Sequence, residues 1–239
     1  MSGPKASTST QVLAVRGVSE LSDSRREPRS VRLRVKHWQP PEGLSPDDVR
    51  AVIAAANCER DRLLLRVLWA TGGRISEVLV LRPMDVLRDS LVLPNRKNPN
   101  LTSKRVFLPG SELGLTGELL LWAKENGVAD DAPLFFSRKR AADGSRRPLQ
   151  RGQAWLIVKE ASECATVSVL ALRASKHGLA GEPAPIHPHL FRHARVRQIV
   201  RQTRSLPLAQ RQAGWSRLQL AYLSIGDEEA RRLMREVTD

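Results

Sequence analysis

The chain has 239 residues, 41% of them hydrophobic and 27% charged, which is enough apolar material for a sizeable core and excludes a disordered or fibrous protein. A formal net charge of +14 selects for polyanionic partners, with nucleic acid first among them. No apolar run approaches the roughly 20 residues of a membrane span, Met1 to Glu20 lacks the apolar stretch of a signal peptide, and Cys58 and Cys164 form no metal or disulfide pattern, so the expectation is a soluble cytoplasmic protein with reduced thiols.

Residues 1–42 are rich in Ser, Thr, Arg and Pro and show little periodicity, which predicts a flexible arm. Its second half is basic, with Arg25, Arg26, Arg29, Arg32, Arg34 and Lys36. Of these, Arg29, Arg32, Arg34 and Lys36 are candidate contacts to a DNA backbone. A single domain is expected over 43–239. It opens at Ser45-Pro46-Asp47-Asp48, where Ser45 suits an N-cap, Pro46 the first helical position and the two Asp the positive helix end. Val49, Val52, Ile53 and Ala56 mark the buried face of this first helix. A second helix, about Arg60 to Ala70, turns Leu64, Leu65, Leu68 and Trp69 inward and stops at Thr71-Gly72-Gly73. A third runs from about Ile75 to Leu81, and Pro83 ends it.

The period then changes. Val86-Leu87, Leu91-Val92-Leu93 and Val106-Phe107-Leu108 predict a three-stranded antiparallel sheet whose second loop is long and basic. Helical periodicity returns over about 112–126, 150–175, 189–204, 207–213, 216–223 and 227–237, with Arg138 to Arg151 as a basic loop. The predicted fold class is therefore mainly α with a small antiparallel β-sheet.

The richest segment is His187-Pro188-His189-Leu190-Phe191-Arg192-His193. His189 and Arg192 are three residues apart and share a helical face, placing a proton carrier beside a cation that can hold a phosphate oxygen. Six arginines run from Arg192 to Arg211 inclusive with no acidic residue among them, so this face suits nucleic acid, and Arg195 is a further candidate DNA contact. A metal site made from His187, His189 and His193 is the rival reading, weakened by the lack of a nearby Cys, Asp or Glu to complete it. No metal and no cofactor is expected.

Taken jointly, the boxes resemble the tyrosine recombinases. Ala70-Thr71-Gly72-Gly73-Arg74-Ile75-Ser76-Glu77-Val78-Leu79 is similar to their A-T-G-x-R-x-S-E-L box, and His189-Leu190-Phe191-Arg192-His193 to their H-x-x-R-H box. Ala213-Gly214-Trp215-Ser216 followed by Tyr222, the only tyrosine in the chain, resembles their G-[HW]-S…Y ending. Leu44 to Val49 looks like the usual opening of their catalytic domain, and Arg105-Val106-Phe107-Leu108-Pro109 like the strand after their lysine hairpin. The resemblance covers about 43–237 in the family's order.

It implies the DNA breaking-rejoining fold and a site-specific recombinase that cuts and rejoins strands through a 3′-phosphotyrosine on Tyr222, without metal or nucleotide. Arg74 and Arg192 would hold the non-bridging oxygens of the attacked phosphodiester, which gains charge density in the transition state. His189 would accept the tyrosine proton. Trp215, where most of the family has His, keeps an indole N–H donor but cannot shuttle protons. The leaving 5′-oxygen needs a proton from a hairpin lysine. Lys97, directly after the Leu91–Asn95 strand, is preferred, with Lys104 as the alternative. Glu77 takes a supporting role on the helical face it shares with Arg74.

Two departures stand out. Trp215 and Tyr222 are seven residues apart, where nine is commoner in the family, so Tyr222 must enter differently or act in a partner's site. The residues before 43 are too few for the four-helix DNA-clamping domain of many relatives, a role left to the basic arm or a second protein. The expected partners are double-stranded DNA carrying a recombination site and further copies of the chain, forming a tetramer on paired sites. The assembly would be linked by a terminal helix with Ala230, Leu233, Met234 and Val237 on one face. A catalytically silent accessory protein and a type IB topoisomerase are the alternative functions.

Overall fold

A computed structural model describes residues 43–95, 102–170, 183–184, 186–214 and 235. Helix α1, Pro46–Ala54, begins as expected. Ser45 Oγ accepts from the Asp48 amide at 3.1 Å while the Asp48 carboxylate accepts from the Ser45 amide at 2.9 Å, so two otherwise orphaned donors are paired reciprocally. Helix α2, Glu59–Thr71, buries Leu63, Leu64, Leu65, Val67, Leu68 and Trp69. A helix apolar on so many sides must sit inside the protein. It packs against α1, α3 (Ile75–Val78), α4 (Leu115–Glu125) and α6 (Pro188–Thr203), and forms the axis of the main core. Helix α5, Arg151–Cys164, closes over α1. Helix α7, Leu206–Ala213, follows α6 and shares with it a smaller cluster of Val196, Ile199, Ala209 and Ala213.

The central hairpin pairs β1, Ser90–Pro94, with β2, Ser103–Phe107, antiparallel from Ser90↔Phe107 to Pro94↔Ser103. Alternation puts Leu91 and Leu93 of β1 and Lys104 and Val106 of β2 on the buried face. The expected first strand shrinks to a single bridge, Val86↔Leu91. A 3-10 turn at Pro83–Asp85 leads into it, and the Leu87 amide already turns back to the Ser90 carbonyl at 2.9 Å, so no length is left for a ladder.

Three other expectations are corrected. The stretch read as a basic loop contains a second hairpin, β3 (Phe136–Arg140) with β4 (Arg146–Pro148). Its strands are rich in arginine, and Lys139, Arg140 and Arg147 are exposed, so no apolar alternation announced them. The helix expected over 150–175 stops at Cys164. Thr166 adopts a left-handed φ of 56°, and the β-branched Val167 and Val169 lead into β5, Val169–Leu170, which pairs with β6, Pro183–Ala184. The third helix ends at Val78, short of Leu81. The helices expected over 216–223 and 227–237 lie outside the described residues, Arg235 excepted. Among the described residues no helix is long and apolar enough to cross a membrane.

Candidate active site

The site is assembled at the end of α2. Thr71 Oγ1 donates to the Val67 carbonyl at 2.6 Å and accepts from the Gly73 amide at 2.9 Å, which ends the helix and turns the chain sharply. Gly72 takes the turn at φ +57°, where side chains are disfavoured; a Cβ there would also come within 3.3 Å of the Arg195 stem. Arg74 then caps the short α3. Its Nη1 donates to Glu77 Oε1 at 2.7 Å, and its backbone N–H to Glu77 Oε2 at 3.1 Å.

Glu77 is completely buried, a position a carboxylate holds only when paired. Its second cation is Lys104, whose Nζ lies 2.9 Å from Glu77 Oε2 and donates to the Ala213 carbonyl at 3.1 Å. The same carbonyl accepts from Arg192 Nη2 at 2.8 Å, while Arg192 Nη1 donates to the Gly72 carbonyl at 2.7 Å. One continuous network therefore joins the end of α2, the β1–β2 hairpin, α6 and the end of α7. The sequence boxes at Arg74, Arg192 and Gly214 meet in space.

Among the described residues of this network Arg74 and Lys104 pair with the one carboxylate, and Arg192 joins them through the Ala213 carbonyl it shares with Lys104. The excess positive charge shapes the titrations. Burial is the main reason the Lys104 ammonium falls from its ordinary 10.5 to about 8, with Arg192 and Arg74 adding to the fall and Glu77 opposing it. Burial alone would raise the Glu77 carboxyl, but Lys104 and the Arg74 hydrogen bonds outweigh it and hold the group below its usual range.

Helix α6 contributes the histidines. His189 is exposed on its first turn. Its ring meets His193 edge-on at 4.4 Å between centroids and stacks with His187 at 6.4 Å. Burial, then His189 and Arg197, lower His193 to about 3, so its imidazole is neutral. No group of three His, Cys, Asp or Glu that could hold a metal occurs among the described residues.

The structure thus brings together Arg74, Glu77, Arg192 and Lys104. Both terminal nitrogens of Arg192 donate to backbone carbonyls, which holds the buried guanidinium in place. Arg195, read as a DNA contact, is only 7% exposed. It lies over the Trp69 ring at 5.5 Å and donates to Gln198 at 2.6 Å, the surroundings of a packing residue. Lys97, Trp215, Tyr222, Arg29, Arg32, Arg34 and Lys36 lie outside the described residues.

Two side chains escaped the sequence reading. Gln212 accepts from the Phe107 amide and donates to the Phe107 carbonyl, each at 3.1 Å, clamping α7 to the β2 edge and so placing Ala213 and Gly214. Nothing local marks it, since its partner is distant in sequence. Asn95 follows Leu91 and Leu93 on the inward face of the hairpin and is 6% exposed, a signal the strand alternation did contain.

Comparison with known proteins agrees with this assembly. The chain is 27% identical to tyrosine recombinase XerD of Xanthomonas axonopodis pv. citri (strain 306) over 194 residues, 74% of this chain and 56% of that relative. It spans little more than half that protein's length. The fold is shared with XerA recombinase, at a TM-score of 0.62 and 17% identity over 83% of this chain and 64% of that one. It is shared also with XerH site-specific recombinase in a post-cleavage complex with palindromic difH substrate, at a TM-score of 0.59 and 19% identity over 82% and 53%. The sequence profile of the phage integrase family matches residues 42–223, a span that contains every box assembled above, and the chain belongs to that family.

Proposed function

We propose that this chain is a site-specific DNA recombinase, with residues 43–239 as its catalytic domain, residues 1–42 as a DNA-gripping arm and Tyr222 as its nucleophile. The observation that carries the reading is the cluster in which Arg74 and Lys104 pair with buried Glu77 while Lys104 and Arg192 share the carbonyl of Ala213, just ahead of Trp215 in the chain. A pocket of partly desolvated cations suits a phosphodiester that gains charge in its transition state, because Arg192 is already held in place and Arg74 need only turn from Glu77 to meet it. Arg74, 17% exposed at its side chain, is the guanidinium free to turn from Glu77 toward a phosphate oxygen, while Arg192 supplies charge from a fixed position.

In the forward step the Tyr222 oxygen forms a bond to phosphorus and the bond from phosphorus to the 5′-oxygen breaks. The tyrosine proton passes to His189, exposed at the start of α6. The departing 5′-oxygen takes a proton from Lys104, preferred to Lys97 because it sits in the cluster against Glu77 and the Ala213 carbonyl, where burial lowers its ammonium to about 8. Trp215 donates from its indole N–H to a phosphate oxygen. Attack by a 5′-hydroxyl on the phosphotyrosine reverses these steps. The phosphodiester energy is kept throughout, so neither ATP nor a metal is needed. Lambda integrase, which shares the fold, is known as a tetramer bound to a Holliday junction, which supports a tetramer on two double-stranded DNA sites here. An enzyme acting on cellular DNA would work in the cytoplasm.

The test is a nicked suicide substrate carrying the target site, resolved on a denaturing gel. The wild-type chain is expected to form a covalent DNA adduct. Tyr222→Phe should form none while binding the same DNA. Adduct formation by Tyr222→Phe would remove the proposal, and a wild-type chain that binds but forms no adduct would favour the silent accessory protein.

A further inference from the structure

Among the described residues around Lys104, Asn95 has a side-chain amide left over at both ends. Both its Oδ1 and its Nδ2 are buried without a hydrogen-bond partner, although a buried amide ordinarily finds one. Its placement is specific. Asn95 continues the inward row of Leu91 and Leu93, and its backbone N–H donates to the Thr102 carbonyl at 2.9 Å. Lys104 lies opposite Leu93, so the two polar side chains are diagonal neighbours on one sheet face.

Both also converge on Gly214. A Cβ built there would meet Lys104 Cδ at 2.7 Å, Lys104 Nζ at 3.2 Å and Asn95 Nδ2 at 3.4 Å, so the ammonium and the amide border the same small space. Gly214 itself has φ +66°, and both its backbone and its crowding exclude a side chain. Lys104, for its part, has three N–H donors and uses one on Glu77 and one on the Ala213 carbonyl.

Building on the recombinase reading, in which Lys104 protonates the leaving 5′-oxygen, we propose that Asn95 is a positioning residue for that lysine. The ammonium gives its third N–H to the DNA, and in rotating to do so it loosens its resting contact with Glu77. With its amide turned over, so that Oδ1 takes the place Nδ2 holds beside Gly214, Asn95 accepts a second N–H during that rotation and keeps the ammonium anchored there. An amide suits this task better than a carboxylate, because a neutral acceptor holds the group without strengthening its grip on the proton that must be given away. The cost of the unpaired amide in the free protein is then the mark of a group kept for a later state.

The experiment compares Asn95→Leu with the wild-type chain on two suicide substrates, one normal and one with the scissile 5′-oxygen replaced by sulfur. Sulfur leaves without protonation, so it bypasses any defect in the acid. Asn95→Leu removes both unpaired atoms at similar size. It is expected to melt no lower than wild type, to bind DNA equally, to cleave the normal substrate about 10-fold or more slowly, and to cleave the sulfur substrate within about 2-fold of wild type. Asn95→Asp, which restores an acceptor but adds charge, should recover cleavage with its alkaline limit moved to higher pH. An unchanged rate on the normal substrate, or an equal loss on both, would overturn the role of Asn95 while leaving the recombinase reading intact. Absence of a wild-type adduct on either substrate would instead overturn that reading and this inference with it.

Discussion

Lys104 and Lys139 carry the same charge into opposite surroundings. Lys104 is buried among Glu77, the Ala213 carbonyl and two arginines, on a strand whose other inward residues are core. Lys139 sits exposed on the β3–β4 hairpin with Arg140 and Arg147; Arg140 donates to the Gly144 carbonyl of the turn at 2.9 Å, and Arg146 lies over the Phe136 ring at 3.9 Å and donates to the Asn126 carbonyl at 2.5 Å. In the cluster, charge is fixed by geometry and each substitution should have a large local effect. On the hairpin it is hydrated and screened, so its worth should be delocalised and salt-dependent. The net charge of +14 mixes these two uses, which is why composition pointed to a polyanion and said nothing of a reaction.

The sharpest break of this comparison is Glu77→Ala. It strips the carboxylate from between two cations and leaves them buried together, and breaking such a pair typically costs about 3–5 kcal/mol. A melting curve should show the loss, and covalent adduct should vanish with it. If Glu77→Ala melted like the wild type, the network would be an incidental surface pairing.

A smaller, more specific effect is expected from pH. Lys104 must be protonated to act as an acid, so kcat/KM for adduct formation should fall as pH rises through about 8. Alkaline unfolding cannot be the cause through this group. Its folded value lies below the unfolded value of about 10.4, so the charged form is the one the fold disfavours, and its contribution to stability grows as pH climbs from about 8 toward 10.4. The alkaline limb should disappear on the sulfur-substituted DNA. It should persist in Lys97→Ala and be lost in Lys104→Ala; the reverse pattern would hand the acid to Lys97.

The smallest effects belong to the hairpin. Lys139→Ala or Arg147→Ala should leave the melting temperature and the cleavage rate at saturating DNA unchanged. If the hairpin meets the DNA backbone, each should reduce the salt dependence of binding by about one released ion. A loss of cleavage at saturation would erase the distinction between the two regions.

The sequence was most legible where local chemistry decides structure. Ser45-Pro46-Asp47-Asp48 became a capping box, and Thr71-Gly72-Gly73 became the turn that delivers Arg74. It was least legible where distant segments decide. The arginine-rich β3 and β4 carry no apolar alternation, so their pairing is set by each other and by packing of Phe136 on Trp122, whose rings lie 5.4 Å apart. Arg195 looked like surface charge because its helix is basic throughout, yet its long aliphatic stem packs where Gly72 leaves room. Motif order identified the residues of the cluster. Which lysine joins them depends on strand register, because a shift of one residue would turn Lys104 outward.

The central claim is that this cluster serves a covalent attack by Tyr222, and mass spectrometry of the trapped complex tests it most directly. After nuclease and protease digestion of the wild-type adduct, the account predicts a nucleotide bonded through its 3′-phosphate to the peptide containing Tyr222. A nucleotide found on any other residue, or cleaved DNA with no protein attached, would contradict it.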